Sequence, residues 1–193
     1  RDCDVRVAVA GGPEELLGAM ADQLYELGGV TIYQYENTLP ADGSVDLTVL
    51  RVGGHGLLPE EADGTILRVE SAVTPETVAC LARLAPGSTV VAAAKSEEYL
   101  DLMRKGFRDF APEARLRCLL AGELSSAVLS EAEAVFVPAG FERLFPPQAV
   151  ETLSAYSATY PLHAYAQRID AGSMLSVRDA VARLQSQRRR GLI

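Results

Sequence analysis

From residue 5 onward, short apolar runs alternate with stretches of helical periodicity, and no other feature constrains this chain's fold as much. Val5–Ala10 has the look of a buried strand closed by Gly11, Gly12 and Pro13. Residues 14–27 then carry Leu16, Leu17, Met20, Leu24 and Leu27 at helical spacing, with Gly28 and Gly29 as a stop. Pro13 suits the first turn of that helix, where a missing N–H costs nothing. Val30–Tyr35 is β-branched and aromatic, hence a strand. Residues 46–50 and 65–69 supply two more, separated by the glycine-rich Gly53-Gly54-His55-Gly56 loop.

A second series starts at Thr74, which caps a helix with Pro75 in its first turn and Glu76 favourable to the dipole. Val78, Leu81 and Leu84 form its apolar side. Thr89–Ala94 is almost free of polar residues and is expected to be buried on both faces. Ser96 caps the next helix, which carries Tyr99, Leu100, Met103 and Phe107. Residues 116–120 and 134–137 are strands, with a short helix at 124–129. Past Pro146-Pro147 the pattern blurs until Ser173, read as the cap of a last helix with Met174, Val177, Val181 and Leu184 on one stripe.

Alternating strands and helices imply an α/β fold of mostly parallel sheets joined by right-handed crossovers. Two Rossmann-like units or lobes are expected: 1–70, and 71–193 with the C-terminal helix. The connection Glu70-Ser71-Ala72-Val73 is either a hinge between lobes or a loop within one sheet.

Composition removes several functional classes. The 193 residues are 48% hydrophobic and 23% charged, an ordinary globular balance. The net charge of −8 makes this chain by itself a poor nucleic-acid binder, since phosphates need a basic face. The Arg188-Arg189-Arg190 run reads as a solvated terminus against that background. Cys3, Cys80 and Cys118 are far apart and odd in number, giving neither a zinc pattern nor a disulfide framework. They fit a reducing cytoplasm. No apolar stretch reaches membrane-helix length and no signal peptide is visible. The chain opens on Arg1 rather than Met, so an upstream segment is expected. No cofactor is expected, because Gly11-Gly12-Pro13-Glu14-Glu15 is neither a dinucleotide fingerprint nor a phosphate loop, and no catalytic or metal-binding motif occurs.

Ligands of open α/β sheets bind beyond the carboxyl ends of the strands. Here those ends carry Gly11 and Gly12, Arg51 to Gly56, Lys95 with Ser96, and Pro138 to Gly140. The glycine turn precedes a helix N-terminus that can hold an anion, although a tight turn explains it equally and Glu14 and Glu15 oppose an anion. Arg51, a cation directly after an apolar strand, suits a carboxylate or phosphate. Lys95-Ser96 is an ammonium beside a helix cap, and capping alone accounts for Ser96. His55 has no partner motif, and His163 fits a satisfied, partly buried histidine.

The second half also resembles a known family. The segment "SAVTPETVACLARLAPGSTVVAAAKSEEYLDLMRKGF", the strand "AEAVFVPAG" and the terminal "QRIDAGSMLSVRDAVARL" resemble the ligand-sensing domain of some GntR-type bacterial transcription regulators. That domain has a two-lobed fold similar to the type I periplasmic binding proteins. The resemblance covers roughly residues 66–185, and more faintly 4–50. It implies a non-enzymatic, cytoplasmic effector-binding domain that takes a small metabolite between its lobes, an anion on the reading of Arg51, and switches the geometry of a homodimer. DNA would be reached only through an upstream domain absent from this chain, and no membrane is involved. Matching strand ends would supply the ligand site: Gly11, Gly12, Arg51, His55, Ser71, Lys95, Ser96 and Pro138. The segment "RVGGHG" departs from the Thr and aromatic residues expected there. Two rivals stay open. One is a small α/β enzyme acting on an anionic metabolite (isomerase, racemase or phosphotransferase), which Cys80 and Cys118, within a helix and a strand, do not favour as a two-cysteine racemase. The other is an extracytoplasmic solute-binding protein.

Overall fold

The computed structural model describes residues 4–36, 38–53 and 66–193. The chain forms two compact units, Arg1–Ala72 with Gln167–Ile193, and Val73–Ala166.

The first unit holds β1 (Val5–Ala10), α1 (Glu14–Tyr25), β2 (Val30–Tyr35), β3 (Leu47–Arg51) and β4 (Ile66–Val69). All four strands are parallel, in the order β2-β1-β3-β4. Val7, Ala8, Val9 and Ala10 have no solvent exposure, as befits a central strand covered on both faces. The α1 stripe of Leu16, Leu17, Met20 and Leu24 is fully buried. Pro13 is the N-cap of α1 rather than its first helical residue: its backbone is extended and it offers no side-chain cap.

The second unit contains α2 (Pro75–Ala82), β6 (Thr89–Ala94), α3 (Glu97–Phe110), β7 (Arg115–Leu120), α4 (Ser126–Leu129), β8 (Ala134–Pro138), α5 (Phe141–Leu144), α6 (Pro147–Ser157) and β9 (Leu162–Tyr165). Its strands are parallel in the order β7-β6-β8-β9. As expected, β6 is buried on both faces beyond Thr89. Strand alternation places Phe136 of β8 edge-on to Phe107 of α3, with ring centroids 5.2 Å apart. The neighbouring Val135 and Val137 join Leu129 of α4 and Leu153 of α6 in the core of the other face. The expected 124–129 helix begins only at Ser126, because Ser125 turns outward to cap it and a 3-10 turn occupies Ala121–Glu123. The blurred region beyond Pro146 resolves into α6, which Pro147 starts, and into β9.

The structure removes one open alternative and corrects one expectation. The connection after Glu70 is no loop within one sheet. Ser71–Val73 (β5) pairs with Gln167–Ile169 (β10) in a separate two-stranded sheet, and the chain leaves the first unit after Ala72 and returns to it after Ala166. In addition, the C-terminal helix α7 (Ala171–Arg189) belongs to the first unit and not to 71–193. It packs on β1 and β4, Gln185 donates to Gly28 O at 2.9 Å, and Arg188 pairs with Asp46 at 2.9 Å. Its cap is Asp170, whose carboxylate accepts from Ser173 N at 2.7 Å. Ser173 instead accepts from Glu70 N, which ties α7 to the end of β4.

Candidate functional site

In each sheet the chain first steps to one side and then reverses: β1 to β2 and then to β3 in the first unit, β6 to β7 and then to β8 in the second. Each reversal is a topological switch point, where the loops leaving two neighbouring strands part in opposite directions and open a crevice. The first unit's switch point lies between the carboxyl ends of β1 and β3, which carry Gly11, Gly12 and Arg51. Between β6 and β8 in the second unit, the ends carry Lys95, Ser96 and Pro138.

In the first unit these residues touch. Gly11 has φ +87°, and a Cβ there would lie 2.6 Å from Arg51 O. Only glycine allows this approach of the two strand ends. Arg51 is half-buried; its Nε donates to Ser71 Oγ at 3.1 Å and its Nη1 to Gly11 O at 3.5 Å. Ser71, on β5, also accepts from Gln167 Nε2 at 3.0 Å. Gly11, Arg51, Ser71 and Gln167 therefore form one polar cluster at the carboxyl edge. Gly12 is buried, and a Cβ there would press on Leu16 Cδ2 at 3.2 Å. Its smallness thus serves packing of the turn against α1.

The second unit's edge is built differently. Ser96 Oγ accepts from Tyr99 N at 3.2 Å and caps α3, while Lys95 is exposed. Pro138 is buried and closes β8 rather than following it. Tyr99 Oη donates to Tyr165 O at 2.9 Å and Tyr165 Oη to Leu102 O at 3.0 Å, locking α3 to the end of β9. Burial, with a smaller contribution from Asp109, pushes the Tyr165 hydroxyl well above its ordinary value, so it stays a neutral donor.

His55 lies outside the described residues, as does Cys3. His163 packs on Phe136 with ring centroids 4.9 Å apart, and burial lowers its pKa, favouring the neutral ring. Cys80 and Cys118 are half-buried free thiols; burial raises Cys118, outweighing the opposing pull of Arg104. Among the described residues no group of His, Cys, Asp and Glu is arranged to hold a metal. No described helix is long and apolar enough to cross a membrane. Gln167 escaped the sequence reading. Its only signal is a polar residue in the alternating stretch from Tyr165 to Ile169, and the pairing of β10 with β5 gives it meaning.

No family model matches the chain, and neither does any curated protein. Two solved structures show some likeness. The ABC domain in complex with L-Trp from Streptococcus pneumonia is 16% identical, covers 94% of this chain and 83% of its own, and gives a TM-score of 0.44. The apo-structure of D-lactate dehydrogenase from Escherichia coli is 12% identical over 98% of both chains, with a TM-score of 0.27. At these values neither carries a ligand or a reaction over to this chain. The class that the topology itself defines is an α/β protein of two parallel-sheet units.

Proposed function

We propose that this chain is a small-molecule-sensing domain that recognises an anionic metabolite at the carboxyl edge of its parallel sheets, with Arg51 as the anion-binding side chain. One observation carries this reading. The cation singled out from the sequence sits at the first unit's switch point, steered by a hydroxyl and a backbone carbonyl that both accept from it. A guanidinium held in one orientation loses little entropy on meeting a carboxylate or phosphate.

The cellular setting proposed is the effector-binding, dimer-forming half of a GntR-type transcription regulator in the cytoplasm. Support for it comes from the "SAVTPETV" to "SVRDAVARL" resemblance and from the two-unit architecture with a double chain crossing. A ligand would act on a regulator through its differential affinity for two arrangements of the dimer, a coupling of about 1–3 kcal/mol.

The test is a thermal-shift screen of the chain against small carboxylates and phosphates, followed by titration of the hits. A ligand that binds the folded state raises Tm by mass action. Arg51→Ala is expected to weaken such a ligand by about 10–100-fold, the worth of one charge-assisted hydrogen-bonding group, while keeping a cooperative melt. Unchanged affinity in Arg51→Ala removes Arg51 from the site, and the absence of any anionic hit overturns the reading.

A further inference from the structure

Two glutamine side chains of the first unit serve the same strand in different ways. Gln23, from α1, uses both ends of its amide on one residue of β10: Nε2 donates to Ile169 O at 3.1 Å, and Oε1 accepts from Ile169 N at 2.8 Å. That is a structural glutamine with every strong partner in place. Gln167, two residues earlier on β10, is only 7% exposed. Its Nε2 donates to Ser71 Oγ, but its Oε1 is buried with no hydrogen-bond partner, alone in this among the side-chain atoms of the described residues. Buried polar atoms are nearly always satisfied, and a lone exception is costly to keep. A purely structural role at this position would be filled more stably by an apolar side chain of the same length.

The orphan oxygen belongs to the cluster already described. Ser71 Oγ accepts from both Gln167 and Arg51, so the amide and the guanidinium lie within two hydrogen-bond lengths of one another. An amide oxygen can only accept, which requires N–H or O–H from its partner. A guanidinium can take a carboxylate through charge-assisted hydrogen bonds. From this juxtaposition we infer that Gln167 is a specificity-determining residue, and that the ligand is a small carboxylic acid bearing a hydroxyl or ammonium donor close to its carboxylate. The carboxylate meets Arg51 and the donor meets Gln167 Oε1. This rests on the proposed anion site at Arg51 and adds to it the second half of the ligand. Because the oxygen is shut off from solvent, the donor reaches it through a local opening, which slows association relative to an exposed site.

The experiment titrates the whole chain with three acids that share one three-carbon skeleton: propionate, which has no donor, lactate, with a hydroxyl, and alanine, with an ammonium. Lactate or alanine is expected to bind at least about tenfold more tightly than propionate, since a site built to pair with a donor rejects the analogue lacking it. Gln167→Met should bring that ratio close to one and leave the unliganded Tm unchanged or higher. If Gln167→Met does not fold, Gln167→Glu keeps an acceptor and should keep the preference while weakening all three acids. Binding of all three acids with a ratio near one in the native chain overturns the role of Gln167 and leaves Arg51 standing. So does a preference that survives in Gln167→Met. Binding of none of the three overturns the role of Gln167, and the anion site at Arg51 falls with it only if the screen of carboxylates and phosphates also gives no hit.

Discussion

The two sheets run through the same strand order, yet their carboxyl edges are made of different chemistry. In the first unit the residue after the leading strand is Gly11, held at positive φ so that the ends of β1 and β3 close on each other and the side chains of Arg51, Ser71 and Gln167 gather. In the second unit the corresponding residue is Lys95, followed by Ser96 as a helix cap, and the third strand ends on the buried, donor-free Pro138. Topology repeats where apolar strands must be covered on both faces. Chemistry diverges where strands stop and packing no longer dictates the residue. The supports of the helices differ in the same way. The helix after β1 has no side-chain cap, whereas the helix after β6 has one.

The largest test of this comparison addresses what the units share. Val9→Asp in β1 and Val91→Asp in β6 each place an unpaired charge in a central strand, at sites 0% and 4% exposed. Both should cost about 3–5 kcal/mol in denaturant unfolding, the penalty of an uncompensated buried charge. A variant as stable as the native chain would show that its strand is not central. Gly11→Ala then probes what is special to the first unit. The positive φ and the close Arg51 carbonyl should make it lose about 1–3 kcal/mol, and any ligand bound through Arg51 should weaken with it.

The ion pairs give a smaller contrast. Asp46 accepts from Arg6 and Arg188 while only 9% of its side chain is exposed. Burial alone would raise its pKa, but hydrogen bonding and charge from Arg6, with Arg188 adding to them, hold it below the ordinary carboxylate range. Its contribution is therefore complete above the unfolded pKa of about 3.9 and is lost as pH falls through the lower folded value. Asp46→Asn should cost about 1–3 kcal/mol at neutral pH and flatten that part of the acid limb of a stability–pH curve. In the second unit Asp101 pairs with Arg104 at 2.6 Å on an open helix surface, 70% and 41% exposed. Asp101→Asn is expected to cost less than about 1 kcal/mol. An equal effect of the two substitutions would refute a structural role for the buried pair. Ser96→Ala is expected to cost about 1 kcal/mol from the lost cap of α3, read as a drop in denaturation midpoint.

Much of the fold was legible because local signals agreed. The runs Val5–Ala10 and Thr89–Ala94, the α1 stripe, the Thr74-Pro75 start and the Ser96 cap each follow from propensity and spacing over a few residues. Strand ends were legible too, and with them Gly11, Arg51, Lys95 and Ser96 as candidates. What escaped were features whose partners lie far away along the chain. Ser173 looked like a cap because serine commonly is one, but Asp170 takes that role and Ser173 is engaged by Glu70. Proximity along the chain assigns the last helix to the second unit, and no local signal marks its return to the first.

The amino-acid sequence by itself determined the alternating α/β character, the buried central strands and most helix starts, because these depend on side-chain period and on donors and acceptors three or four residues apart. The tertiary structure alone decided the strand order within each sheet, the return of α7 to the first unit, and the meeting of Arg51 with Ser71 and Gln167. Those outcomes depend on pairing between segments 20 to more than 100 residues apart. Such pairings are selected by the burial and hydrogen bonding of the assembled sheets, and no local window of the chain encodes them.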